Sequence, residues 1–237
     1  MIFAAGIGTR LRPLTSDKPK ALVEVNNKTL LENAIIKLKN CGVTHIVINV
    51  HHFANKIIDF LNLHNNFGID INISDETHKL LNTGGGVLHA LPFFNINNPI
   101  ILYNVDIYSS INLAELYKKH VNNKFDATLV VRNRTTNRKL AFNKNNDLIG
   151  WKNFISNQEK HVGTQNLKEA NFYGFSGIHI VHPKIFKNCI FSEDFSIIDF
   201  YLNIAKHYQV KGYLDESEFW FDLGKIEQIK EIEKRIK

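Results

Sequence analysis

Short apolar runs of strand length alternate with segments of helical spacing through the first half of this chain, and no other feature restricts its fold as much. Ile2 to Ala5 is apolar and stops at Gly6. Thr29-Leu-Leu-Glu32 has the capping-box spacing and opens an amphipathic run, Leu30 to Lys39, that ends before Gly42. His45-Ile-Val-Ile-Asn-Val50 reads as a buried strand, and Phe53, Ile57 and Leu61 then keep helical spacing. Ile69 to Ile73 alternates like a strand. Gly84 to Gly86 precede a short expected helix, Val87 to Leu91, and Pro99 to Tyr103 is a further buried run ending at Asn104-Val-Asp106. This order predicts an α/β fold: a mixed, mostly parallel sheet flanked by helices.

The second half changes character. Ala127 to Val131 is a strand, and Arg138 to Trp151 is a hairpin turning at Asn145-Asn146-Asp147. Tyr173 to Val181 is a long strand broken by Gly174 and Gly177, Ser196 to His207 has a helical apolar face, and Gln209 to Leu214 and Phe219 to Leu223 are short strands. Lys225 to Lys237 is a charged helix. There is no internal repeat. The expectation is one domain over residues 1–237, with a nucleotide-binding half (1–110) and a substrate-shaping half (111–237) sharing one sheet.

With 44% hydrophobic and 22% charged residues, the chain can build a core. No apolar run is long enough to span a bilayer, and no basic-then-apolar leader opens the sequence, which predicts a cytoplasmic protein with no membrane partner. Cys41 and Cys189, the two cysteines, have no CxxC spacing and fit free thiols in a reducing compartment. The formal charge is +6, but the basic residues are mostly spread singly, which argues against nucleic acid. The exception is the cluster Arg10, Arg12, Lys18 and Lys20.

That cluster lies at the carboxyl end of the first expected strand, where open parallel sheets bind ligands. Gly6 and Gly8 let backbone N–H groups approach a ligand and form an anion-binding concavity. Arg10 and Lys20 add charge-assisted donors for phosphate oxygens. The stretch reads as a polyphosphate cradle. A dinucleotide fingerprint needs a third glycine where Leu11 stands, and a P-loop needs a Gly-Lys followed by Ser or Thr, which is absent. Asp106 ends an apolar strand and Asp222 follows the apolar run Phe219-Trp-Phe221. Buried carboxylates need a partner, and hard oxygen ligands of this kind suit Mg²⁺. The histidines, including His51-His52 at a strand-to-helix junction, show no zinc-site spacing.

Gly6-x-Gly8-Thr9-Arg10-Leu11-x-Pro13-Leu14-Thr15, then Pro19-Lys20, resembles the signature of the sugar-1-phosphate nucleotidyltransferases. Thr83-Gly84-Gly85-Gly86, Asn104-Val-Asp106, Phe175-Ser-Gly177-Ile178 and Phe221-Asp222-Leu-Gly224 extend the resemblance over nearly the whole chain. Within the family it is most similar to the short N-acetylmuramate-1-phosphate uridylyltransferases, with mannose-1-phosphate guanylyltransferases and glucose-1-phosphate nucleotidyltransferases as alternatives. A non-catalytic nucleotide-binding regulator would lack the two acids.

The resemblance implies a Rossmann-like nucleotide-diphospho-sugar transferase fold with no added repeat domain, and a monomer or small homo-oligomer. Its substrates would be a nucleoside triphosphate and a sugar 1-phosphate, here UTP and N-acetylmuramic acid 1-phosphate, with Mg²⁺ as cofactor. It implies Arg10, Lys20 and Asp106 as catalytic residues, and Asp106 and Asp222 as metal ligands. The nucleotide would lie on Ala4, Ala5, Gly6, Gly8, Thr9, Arg10, Thr83, Gly84 and Asn104. The sugar phosphate would lie on Lys20, Gly150, Asn171 and Gly177. The Glu-Lys-Pro of many relatives has only Glu159-Lys160, without the proline, as its nearest counterpart.

Overall fold

The computed structural model describes residues 1–187 and 191–235. Cys189 and the last two residues of the expected closing helix lie outside the described residues. In chain order the first half gives β1 (Ile2–Phe3), the small pair β2 (Glu24–Val25) and β3 (Lys28–Thr29), α1 (Leu30–Asn40), β4 (His45–Val50), α2 (Ala54–Leu63), β5 (Asp70–Asp75), α3 (Asn82–Ala90) and β6 (Ile100–Asn104). The second half gives β7 (Ile107–Ser109), α4 (Leu113–Asn122), β8 (Ala127–Arg132), β9 (Arg138–Phe142), β10 (Leu148–Asn153), β11 (Glu159–His161) and β12 (Asn171–Val181). It closes with α5 (Ile197–Ile204), β13 (Val210–Leu214), β14 (Trp220–Asp222) and α6 (Ile226–Arg235).

The strands β5, β4, β1 and β6 lie side by side, all parallel. β12 then runs antiparallel along β6, β8 pairs with β12, and β13 lies parallel to β8. The first residues of β12 instead carry the antiparallel ribbon β9–β10–β11. The sheet is therefore mixed and mostly parallel in its first half, as the alternating pattern predicts.

Period-2 side-chain alternation sends neighbouring residues to opposite faces. Ile2, Ile46, Ile48 and Tyr103 join one buried cluster with Leu31 and Ile35 of α1, Ile57 of α2, Leu116 of α4 and Ile229 of α6. Phe3, Val47 and Leu102 join the other, with Val87 of α3 and Phe200 and Tyr201 of α5. Both faces are covered, which is why these strands read as continuous apolar runs. The Thr29 hydroxyl accepts from the Glu32 amide at 3.0 Å, so the capping residue starts α1 as expected.

Two expectations are corrected. α3 begins at Asn82, not Val87, and carries all three glycines inside it. Each helical glycine costs about 1 kcal/mol relative to alanine, so close packing has to offset that cost. β12 is also continuous through its glycines. Its register on β8 shifts between Phe175 and His179, where Gly177 takes φ 77°. Among the described residues, no helix is long and apolar enough to cross a membrane.

Candidate active site

The loop after β1 is a built structure. Gly8 has φ 71°, and its carbonyl accepts from the Leu11 amide at 2.9 Å and the Thr15 hydroxyl at 2.9 Å. Leu11 is fully buried and pins the loop to the core, while Arg10 remains exposed. A Cβ on Gly8 would stand 2.9 Å from Cβ of Lys20. A bare backbone and a left-handed conformation at this one position therefore bring the second basic residue against the loop. The Lys20 ammonium reaches across to Oδ2 of Asp106.

Asp106 follows β6 and is buried. Asp222 is brought beside it by pairing between β7 and β14, whose antiparallel register sets Asp222 opposite Ile107. The Leu223 amide then donates to the Asp106 carbonyl at 2.8 Å. Burial first, and the charge of Asp106 second, push the Asp222 carboxyl above the usual carboxylate range, while the Gly224 amide opposes that rise. Lys20 is ion-paired to Asp106, while Asp222 has no ion pair among the described residues. Among the described residues no group of three or more His, Cys, Asp or Glu is placed to hold a metal alone. Mg²⁺ commonly takes one or two carboxylates and completes its shell with phosphate oxygens and water, so the donor set fits it.

A cavity of about 610 Å³ is lined by Ala5, Gly6, Arg10, Lys20, Thr83, Asn104 and Asp106. Asn49 and Glu76 also line it, and the sequence reading missed both. Asn49 accepts from the Ala4 amide at 2.8 Å and donates to Oε1 of Glu76 at 2.8 Å, with both residues 3% exposed. The available signal was an asparagine inside the otherwise apolar run His45 to Val50.

The three glycines of α3 each answer to a different neighbour. A Cβ on Gly84 would lie 2.3 Å from the Phe195 ring, one on Gly85 2.0 Å from the Glu193 carbonyl, and one on Gly86 2.8 Å from Oε1 of Glu76. The Gly84 amide donates to Phe195 O at 2.8 Å, and the Thr83 hydroxyl accepts from the Ile197 amide at 3.0 Å. Gly84 and Gly85 let this helix lie against the segment leading into α5, and Gly86 lets it lie against Glu76 and Asn49.

A second cavity, of about 570 Å³, lies on the other side of Asp106. Asn104, Asp106, Ile107, Gly177 and Asp222 form one end of it. Arg134, Arg138, Trp151, Lys160 and Trp220 form the rest, with Leu140 and Phe175 on the sheet. Lys160 lies in it, ion-paired to Asp199 at 2.5 Å, so the Glu159-Lys160 pair does reach this space. Gly150 is buried and does not line it, because its bare Cα packs against the Lys160 carbonyl and Leu167. Asn171 sits exposed at the start of β12, also outside it. Ala4, Gly8, Thr9 and Gly84 shape the first cavity without lining it. Arg134 and Trp220 are further residues that the sequence reading did not single out.

The sequence model of a family described as Nucleotidyl transferase matches residues 1–237. An N-acetylmuramate alpha-1-phosphate uridylyltransferase of Caulobacter vibrioides is 44% identical over 108 residues, which is 45% of this chain and 44% of that protein. A mannose-1-phosphate guanyltransferase of Yarrowia lipolytica is 34% identical over 131 residues, 55% of this chain and 36% of that protein. The chain thus spans less than half the length of these curated relatives. The crystal structure of HddC from Yersinia pseudotuberculosis, complexed with GMP-PN, superposes with a TM-score of 0.76 at 20% identity, covering 100% of this chain and 98% of that one, a likeness of fold. The glycine–arginine loop, the paired aspartates and a family match over the full chain agree: this chain belongs to the nucleotidyl transferase family.

Proposed function

We propose that this chain transfers a nucleotidyl group from a nucleoside triphosphate to a sugar 1-phosphate, with UTP and N-acetylmuramic acid 1-phosphate as the preferred pair. The observation that carries this reading is that two separate cavities meet at Asn104 and Asp106. One carries the glycine loop with Arg10 and Lys20, and the other carries the indoles of Trp151 and Trp220, suited to packing on a sugar ring. On this reading residues 1–110 supply most of the nucleotide site and residues 111–237 most of the sugar site, within a single domain.

An oxygen of the sugar phosphate attacks the α-phosphorus, the bond from that phosphorus to the α,β-bridging oxygen breaks, and pyrophosphate leaves in line. No covalent enzyme intermediate is needed, so positioning and charge neutralisation supply the catalysis. Arg10, exposed at the loop, takes the departing pyrophosphate. Lys20, already drawn to the junction by Asp106, holds phosphate oxygens at the reacting centre. Asp106 and Asp222 would hold Mg²⁺, which when bound neutralises phosphate charge. Thr83 and the Asn49–Glu76 pair stand at the base end.

The preference for UTP and the muramic acid derivative is supported by the name of the Caulobacter relative, while the name of the Yarrowia relative, a mannose-1-phosphate guanyltransferase, supports the alternative pair. The deciding experiment is kcat/KM by pyrophosphate release for UTP and GTP, each against N-acetylmuramic acid, mannose and glucose 1-phosphates. A clear preference for GTP with mannose 1-phosphate overturns the substrate assignment. No release with any pair overturns the reaction.

A further inference from the structure

Two of the three cations that line the second cavity, Arg134 and Arg138, have no acid within ion-pair distance among the described residues, whereas Lys160 is paired with Asp199. The reacting phosphate has to lie at the Asp106–Asp222 end, where the two cavities join. Arg134 lines the same cavity, beside Trp220 of β14. Its guanidinium lies over the Trp220 ring at 4.7 Å, and Nη2 donates to the Phe175 carbonyl at 3.0 Å. Nε is buried with no hydrogen-bond partner, and among the described residues Arg134 makes no ion pair. Burial pulls this guanidinium below its ordinary pKa, and the charge of Asp222 opposes that fall.

The arginine is held in place on three sides. Gly174 leaves it room, because a Cβ there would stand 2.8 Å from both Cγ and Nε of Arg134. Trp220 is itself fixed, since its indole N–H donates to the Ser176 carbonyl at 2.9 Å. Arg138, exposed at the start of β9, lines the same cavity and also has no acid within ion-pair distance among the described residues. Lys160, by contrast, is already neutralised by Asp199. A solvated arginine would be mobile and hydrated. This one is partly desolvated and stacked, and its Nη1 makes no hydrogen bond among the described residues, which leaves the end of the fork for an acceptor on a ligand in the cavity.

We infer that Arg134, assisted by Arg138, reads a carboxylate carried on the sugar ring, at a point separate from the reacting phosphate. A planar fork stacked on an indole matches a planar carboxylate edge-on. The substrate class is then an acidic sugar 1-phosphate, and Arg134 is a specificity-determining residue. This rests on reading the cavity as the sugar 1-phosphate site.

The test compares N-acetylmuramic acid 1-phosphate with N-acetylglucosamine 1-phosphate, which lacks the lactyl carboxylate, using the wild-type chain, Arg134→Met and Arg138→Met. Binding is read by calorimetry and turnover by pyrophosphate release. The expected result is a loss of roughly a hundredfold in affinity and kcat/KM for the acidic sugar in Arg134→Met, a smaller selective loss in Arg138→Met, and under threefold change for the neutral sugar in both. Equal losses on both sugars would mean that the arginine holds the phosphate, and would overturn the inference. So would a wild-type chain that does not distinguish the two. Because Arg138 is exposed, its variant still decides the matter if Arg134→Met fails to fold. Selective binding without turnover would leave this inference standing and overturn the proposed reaction instead.

Discussion

Asp222 is held against Asp106 by backbone, through the Leu223 amide at 2.8 Å from the Asp106 carbonyl. More than a hundred residues separate the two acids, and one short antiparallel pair joins them. A side-chain contact alone would leave two carboxylates free to separate, as like charges prefer. Fixing the backbone keeps both aimed at one point and leaves their shared charge to Lys20 and to an incoming cation. Burial, and then the charge of Asp106, push the Asp222 carboxyl above its ordinary range.

Asp106→Asn and Asp222→Asn are each expected to lower Mg²⁺-dependent turnover by roughly a thousandfold or more while leaving the fold intact. Chelation should silence the wild-type chain, and added Mg²⁺ should restore it. The measurement is pyrophosphate release alongside a thermal melt. Near-normal kcat in either variant would remove that residue from the metal site.

Gly85→Ala should damage the fold more than its chemistry suggests. One methyl group normally stabilises an exposed helix by about 1 kcal/mol over glycine. Here it would lie 2.0 Å from a backbone carbonyl, that of Glu193, which cannot rotate away. Overpacking of this kind typically costs 1–3 kcal/mol. A lower urea midpoint is expected, and an unchanged or higher one would show that the segment before α5 yields freely.

The legible parts of this molecule are those whose chemistry is local. The parallel strands could be read because both of their faces are buried, and the loop from Gly6 to Lys20 because its glycines and cations are contiguous. α3 was read too short because three glycines look like a loop until the segment that packs on them is known. α4 was left unassigned although Leu113, Leu116, Tyr117 and His120 keep helical spacing and Asn112 caps the Glu115 amide at 3.0 Å. That signal was available in the letters. Arg134, Trp220 and the Asn49–Glu76 pair were not legible as a site, because strands distant in sequence bring them together and each residue alone is unremarkable.

Two buried histidines set an acid limit. His120 and His179 have pKa values drawn down by burial to about 4 and about 3, below the ordinary value of 6.5. Each bonds a hydroxyl through Nδ1, Thr128 at 2.8 Å and Tyr201 at 2.7 Å, and leaves Nε2 buried without a partner. As pH falls through 6.5 the unfolded chain takes up these protons while the native state does not, so stability falls with falling pH. The contribution of the two histidines should be flat above about 7 and decline below 6.5, by up to roughly 1.4 kcal/mol per pH unit for each. Urea midpoints from pH 7.5 to 5 test this, and His179→Gln should flatten the slope. A wild-type midpoint that does not move over that range would show that neither ring is held neutral.

Gly224 offers the sharpest probe of the junction itself. A Cβ there would stand 2.8 Å from Oδ1 of Asp222, 2.9 Å from Nη2 of Arg10 and 3.2 Å from Oδ2 of Asp106. The three groups assigned to metal and pyrophosphate therefore converge on one bare Cα. Its φ lies outside the left-handed region, so alanine meets no backbone strain, and only side-chain ends have to give way. Gly224→Ala should leave the melting temperature within a degree or two of wild type. It should lower kcat by at least about tenfold, since misplacing catalytic groups by a fraction of an ångström weakens in-line transfer. The effect should fall on kcat more than on KM for the sugar phosphate, whose cavity extends away from Gly224 toward Trp151 and Lys160. A variant with unchanged kcat would mean that Arg10 and the two aspartates do not work at the point where their side chains meet.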